Sequence, residues 1–247
     1  MEKPNKGGIF MEPAMELTQV KKHYLMGDTV IRALDGITLS IQEGEFLSVV
    51  GQSGSGKSTL MNILGCLDLP DQGEFRLWGR RVDRCSEEEL ARIRNRTIGF
   101  VFQGFHLLPT LTAQENVELP LFYQGIPGSQ RRAMAKQALE RVELGQRLNH
   151  RPNQLSGGQQ QRVAIARAMA TNPQVLLADE PTGNLDQACS KEILSLLQQF
   201  HQEGRTLVLI THDPEVAVCA QRRIHIQEGR LVPLDSRLPK QGDGRVG

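Results

Sequence analysis

The sequence predicts an α/β fold built on a mainly parallel sheet, and three observations carry that expectation. Short, mostly apolar runs at Phe46–Val50, Val175–Ala178 and Thr206–Thr211 alternate with helical patterns. A glycine-rich loop follows the first run directly and opens a helix. Polar residues suited to chemistry end the other two runs: Asp179 and Glu180 after one, His212 after the other. In a parallel sheet the carboxyl ends of strands are where ligands are met.

Each element has its own signal. The 247 residues suffice for one large core carrying an inserted subdomain. Residues 1–14 and about 233–247 are rich in Gly, Pro and charge and are expected to be flexible tails, because they offer little apolar surface to offset the cost of ordering. Alternation over Ile37–Ile41 predicts a half-buried antiparallel strand, and the turn Glu43-Gly44-Glu45 leads into the buried strand Phe46–Val50. After the loop, Leu60, Ile63, Leu64 and Leu67 recur at helical spacing and predict one buried face. A strand is expected at Thr97–Phe102. The stretch around it, from about Ser86 to Gln154, is dominated by charged helices and reads as a mostly helical insertion. Within it, Ser86 caps a helix running to Asn95 with three glutamates at its positive end, and a second helix covers Ser129–Leu144. Ile224–Ile226 and Leu231 flank Glu228-Gly229 as a late hairpin.

Composition narrows the function. Lysine plus arginine (29) nearly balance aspartate plus glutamate (28), so no basic field points to nucleic acid. The cysteines Cys66, Cys85, Cys189 and Cys219 are scattered, without C-x-x-C pairs, and read as reduced thiols of a cytosolic protein. Met1–Ala14 lacks the apolar run of a secretory signal, and no run approaches the ~20 residues of a membrane helix. If the chain works at a membrane, something else is expected to anchor it.

Gly51-Gln52-Ser53-Gly54-Ser55-Gly56-Lys57-Ser58 has the pattern G-x-x-x-x-G-K-[ST] between a strand and a helix. Glycines let backbone N–H groups approach phosphate oxygens, and the helix that follows presents its positive end. Lys57 is expected to reach the β- and γ-phosphates, and the Ser58 hydroxyl to bind Mg²⁺. Asp179 can hold the Mg²⁺ shell while Glu180 polarises an attacking water; the plainer alternative is an acidic strand end capping the next helix. His212, alone, would be a strand-end residue; beside the other motifs it is expected to contact the γ-phosphate.

Leu155-Ser156-Gly157-Gly158-Gln159 opens a helical run and can form an S-x-x-Q capping box. Two glycines in a first turn are costly for a helix, and fit amides that must approach a phosphate. This run resembles the LSGGQ signature of ABC ATPases. The resemblance covers about Met15 to Val232, its elements in the expected order. It implies a P-loop NTPase (RecA-like) core with a mainly parallel sheet, an N-terminal antiparallel β subdomain and an inserted helical subdomain at about 86–160, within an ATPase domain at 15–232. By resemblance, Tyr24 stacks on adenine, Thr59 follows in the phosphate loop, Gln103 senses Mg²⁺ and faces the membrane partner, and Asn184-Leu185-Asp186 crosses between two subunits. Each ATP would lie between one chain's phosphate loop and the other's Ser156–Gln159, so the chain is expected to pair with a second copy. Asn62–Asp68, Leu107–Val117 and Pro181–Asp186 resemble the MacB, LolD and FtsE group. That implies a separate FtsX/MacB-type permease, export or lipoprotein release, a periplasmic adaptor reached through the permease, and a peripheral place on the cytoplasmic face of a bacterial inner membrane. Gln52, His106 and Gln187 depart from the group's usual residues, and none removes a catalytic group.

Two other classes fit less well. A DNA-acting or ribosome-acting relative would carry long coiled-coil arms or a second cassette, and neither is present. A nucleotide-gated binding module would be expected to lack Glu180 or His212.

Overall fold

The computed structural model describes residues 12–233. The expected tail segments 1–11 and 234–247 lie outside the described residues. In chain order the elements are β1 (Met15–Met26), β2 (Thr29–Ile41), β3 (Phe46–Val50), α1 (Lys57–Leu64), β4 (Gln72–Leu77), β5 (Arg80–Arg81), α2 (Glu87–Thr97) and β6 (Ile98–Phe102). There follow α3 (Ala113–Tyr123), α4 (Gly128–Arg141), a 3₁₀ turn (Pro152–Gln154), α5 (Gly157–Ala170), β7 (Val175–Asp179), α6 (Gln187–Gln202), β8 (Thr206–Thr211), α7 (Pro214–Ala217), β9 (Arg222–Gln227) and β10 (Arg230–Val232).

Two sheets organise them. A four-stranded antiparallel sheet has the order β2-β1-β4-β5, and a six-stranded sheet has the order β10-β9-β3-β8-β7-β6. In the larger sheet β9, β3, β8, β7 and β6 run parallel, and β10 closes the β9 hairpin antiparallel. Helices cover one face and the smaller sheet with α1 covers the other, so the central strands are buried on both sides and read as unbroken apolar runs. Alternate residues serve two cores. Leu176, Ala178, Leu207 and Leu209 pack with the α3–α6 layer, while Val175, Leu177, Val208 and Ile210 pack with α1 and the smaller sheet.

The structure departs from the sequence reading in two places. Leu67 does not extend the buried face of α1: the helix ends at Leu64, Cys66 turns at φ 55, and Leu67 is 49% exposed. Ala14, assigned to the N-terminal tail, is buried, and its carbonyl accepts from the Trp78 amide. The strand expected at Thr97–Phe102, inside the segment read as a mostly helical insertion, is present as β6, which pairs with β7 along Ile98–Phe102. Helix α2 therefore leads back into the large sheet before the α3–α4 layer begins.

Strand β2 reaches well beyond Ile37–Ile41. Its outer half, Thr29–Arg32, is exposed and held by pairing with the equally exposed end of β1, so no buried-exposed alternation marked it. Local chemistry places the helix starts: Ser86, Thr112 and Ser156 each form a reciprocal capping box with a Glu or Gln three residues on, at α2, α3 and α5.

Candidate nucleotide site

The loop between β3 and α1 makes one wall of a cavity of about 900 Å³. Its geometry requires glycine at two positions. A Cβ at Gly51 would stand 2.4 Å from the Ile226 carbonyl oxygen, and Gly56 has φ 106 with the Ala33 carbonyl at 2.4 Å from where a Cβ would be. Gln52, Ser53, Gly54, Ser58 and Thr59 also line the cavity, together with Tyr24 from β1. Lys57 is buried, and its ammonium donates to the carbonyls of Gly51 (2.7 Å) and Gln52 (2.8 Å). Two of three donors thus brace the loop. Ser55 does not line the cavity; its buried Oγ has no protein partner among the described residues.

The strand ends supply the opposite wall. Gln103 after β6, Asp179 and Glu180 at the end of β7, and His212 after β8 all face the same cavity. Burial raises the Asp179 carboxyl above its ordinary value; the Glu180 charge adds to this and Lys57 opposes it. Glu180 takes φ 45, a left-handed conformation unusual for a residue with a side chain. That turn brings its carboxylate back over β8. Oε1 accepts from the His212 amide at 2.8 Å and lies 2.7 Å from His212 Nδ1, while Thr211 Oγ1 donates to Oε2 at 3.1 Å. A carboxylate only accepts, so this contact is a hydrogen bond in the tautomer with the proton on Nδ1. Gln103 Nε2 donates to Asn184 Oδ1 at 3.2 Å, and Asn184 Nδ2 returns a bond to the Gln103 carbonyl at 3.1 Å. The segment after β6 is thereby tied to the loop after β7.

Tyr24 is anchored rather than loose. Its hydroxyl donates to Asp68 at 3.0 Å, and Lys22, paired with Asp68 at 2.7 Å, lies 5.5 Å from the ring centroid. Asp68, Lys22 and Thr211 were not singled out for the site by sequence reasoning. Only Asp68 carried a signal, as the last residue of a quoted motif.

The signature residues stand apart. Ser156, Gly158 and Gln159 line a separate hollow of about 310 Å³ with Arg162 and Cys189. Neither Gly157 nor Asp186 lines the large cavity. Asp186 instead caps α6, accepting from the Cys189 amide at 2.9 Å. One chain therefore holds a phosphate loop and a signature that do not share a cavity.

A family model described as "ABC transporter" matches residues 34–183. The chain belongs to the ABC transporter family. An uncharacterized ABC transporter ATP-binding protein of Thermotoga maritima is 51% identical to this cassette over 233 residues, covering 94% of this chain and 100% of that protein. The macrolide export ATP-binding/permease protein MacB of Hyphomonas neptunium is 51% identical over 220 residues, covering 89% of this chain and 34% of that protein. The cassette thus spans about a third of the MacB relative's length. Among solved structures, a dimeric ATP-binding cassette in a post-hydrolysis state bound to ADP and Pi superposes with a TM-score of 0.83 at 47% identity, covering 89% of this chain and 97% of that one. The cassette is an ATP-binding and ATP-hydrolysing transporter subunit, and its structural relatives are dimers.

Proposed function

We propose that two copies of the cassette close around two molecules of Mg·ATP, and that closure drives a separate FtsX/MacB-type membrane permease in export or lipoprotein release. The observation that carries this reading is the division of the site: the phosphate loop and the strand-end carboxylates share one cavity, and Ser156–Gln159 occupy another surface.

The residues present fit both ligands. The glycine-lined loop leaves no room for a Cβ at Gly51 or Gly56, and Lys57 supplies the fixed cation for a polyphosphate. Among the described residues no cluster of three His, Cys, Asp or Glu side chains forms a metal cage. Mg²⁺ is held by one or two carboxylates plus phosphates and water, and Asp179 lines the phosphate-loop cavity as such a carboxylate. Ser58, Asp179 and Gln103 would hold it, and its contribution is to neutralise charge on the β- and γ-phosphates. Lys57 and the amides of residues 52–59 bind and orient the phosphates. Tyr24 presents its ring to adenine. Glu180 accepts a proton from, or orients, the attacking water, with His212 and Thr211 fixing its carboxylate until nucleotide arrives. Ser156 and the Gly157–Gly158 amides of the second copy complete the γ-phosphate shell, with Gln159 bracing that turn and Asp186 at the crossing loop.

Among the described residues no helix is long and apolar enough to cross a membrane. A permease would provide that part, placing the cassette on the cytoplasmic face of a bacterial inner membrane, with any periplasmic adaptor engaged through the permease. A groove of about 850 Å³, lined by Phe100, Phe102, His106 and Tyr123 and edged by Arg94 and Arg167, supports this reading. It lies along β6, which Gln103 follows, so a docked permease segment could act on the Mg²⁺-sensing residue. The test is co-purification of the tagged cassette with its permease from membranes. Tyr123→Glu, at a side chain 74% exposed, should lose the permease while keeping ATP binding. A cassette that never recovers with a membrane protein would exclude the reading.

A further inference from the structure

Gln161 is a fully buried polar residue in the second turn of α5, the helix that begins with the signature. Its amide nitrogen donates to the Pro181 carbonyl at 2.7 Å and the Phe102 carbonyl at 3.3 Å. Phe102 immediately precedes Gln103, and Pro181 immediately follows Glu180. Two carbonyls fix the amide orientation, since the flipped form would aim an oxygen at both. Its Oε1, meanwhile, has no protein donor among the described residues.

We propose that Gln161 is a positioning residue for hydrolysis, holding the Gln103 and Glu180 segments in register and tying both to the signature turn of its own helix. This rests on the reading of Gln103 and Glu180 as groups that act on ATP. An apolar side chain of equal length would fill the same space and avoid the unpaired Oε1, yet it would strip the Pro181 carbonyl of this donor, so packing alone does not account for the amide. Register beyond the strand ends does. The β6–β7 ladder stops at Phe102 opposite Asp179, and past that point the chains diverge. Glu180 sits there in a left-handed turn at φ 45, and an anchored Pro181 carbonyl fixes the far side of that turn.

The same geometry links the two sites of a sandwich. Ser156 and Gln161 lie on one rigid helix, so a shift of the signature turn on meeting the other copy's nucleotide moves the Gln161 amide too. That motion reaches Gln103 and Glu180 of the same chain through the hydrogen bonds to the adjoining Phe102 and Pro181 carbonyls. The Gln103–Asn184 pair closes the loop between the same segments, and a Cβ at the neighbouring Gly183 would stand 2.7 Å from Gln103 Nε2, which shows how closely they approach.

The experiment compares wild type, Gln161→Met, Gln161→Asn and Glu180→Gln in the full chain. It measures kcat and KM for ATP, calorimetric affinity for Mg·AMP-PNP, and thermal midpoint. Gln161→Met keeps the volume and removes the donors. It should keep KM and AMP-PNP affinity within about twofold while kcat falls about 10–100-fold. Gln161→Asn, short by one methylene, should lose several-fold in kcat, recovering part of what Met loses. Unchanged kcat in both variants, or equal losses of AMP-PNP affinity and kcat, would overturn the proposal and leave Gln161 a support of the fold. Failure of the underlying reading is distinct, because Glu180→Gln would then retain turnover.

Discussion

Glu180 joins a left-handed backbone to the catalytic role proposed for it. Its left-handed φ of 45 is sustained by bonds to its own carboxylate from Thr211 and His212. Such strain persists where surrounding contacts over-determine it. Glutamine keeps the shape and loses the charge, so Glu180→Gln should bind Mg·ATP, form the closed dimer and lose ~10²–10⁴ in turnover. Asp179→Asn should lose nucleotide affinity as well, because it weakens the metal shell. Parallel assays of turnover and dimer fraction separate the two roles; near-normal turnover in Glu180→Gln would shift the water-orienting role to His212 or Gln103. Asp68 carries a pH signature of a different kind. Burial would raise its carboxyl, but hydrogen bonds from Lys22, Tyr24 and the Leu69 amide, with the Lys22 charge, hold it below the ordinary 3.8. A depressed carboxyl stabilises the fold above the unfolded value and loses that contribution as pH falls through the folded one. Asp68→Asn should therefore lower the urea midpoint at neutral pH and flatten its decline below pH ~4. Equal acid sensitivity in the two proteins would remove Asp68 from that role. The phosphate loop, Asp179, Glu180 and His212 were legible in sequence because spacing within a strand-loop-helix unit is local. Gln161 and Thr211 were not, because their partners stand 20 and 31 residues away or more.

At the scale of elements, capping boxes at Ser86 and Ser156 offer a controlled comparison. Both serines are exposed, both start a helix, and both accept from the amide three residues on at 3.3 Å. Replacing either with alanine should cost about 1 kcal/mol of stability. Only Ser156→Ala should also weaken ATP-driven dimerisation, since the α5 cap is read as part of the second copy's nucleotide site. Denaturant midpoints for both variants, together with dimer fractions in ATP, make the comparison. An equal dimer fraction would leave the serine as a cap alone. The same elements explain where sequence patterns failed: α1 stops at Gly65 because the following Cys66 adopts φ 55, and hydrophobic spacing is blind to such a stop.

At the scale of the whole molecule, the proposed sandwich joins the phosphate-loop cavity of one chain to the signature hollow of a second. Ser156→Arg places a long cation on the exposed start of α5, away from the chain's own phosphate loop. It should bind ATP as wild type does and remain monomeric. Light scattering in ATP checks this, and a dimer as abundant as in wild type would contradict the composite site.

Sequence by itself determined the order of the chemistry: a phosphate loop after β3, carboxylates at the end of β7, a histidine after β8 and a signature opening α5. Each is written in contiguous residues, and strand direction alone sends three of them to one edge of a parallel sheet. Tertiary structure decided the rest. It extended β2 out to Thr29, because that exposed end is held only by its pairing with β1. It anchored Tyr24 through Asp68 and bound Gln161 to the carbonyls beside Gln103 and Glu180, contacts between distant segments whose partners no local periodicity can name.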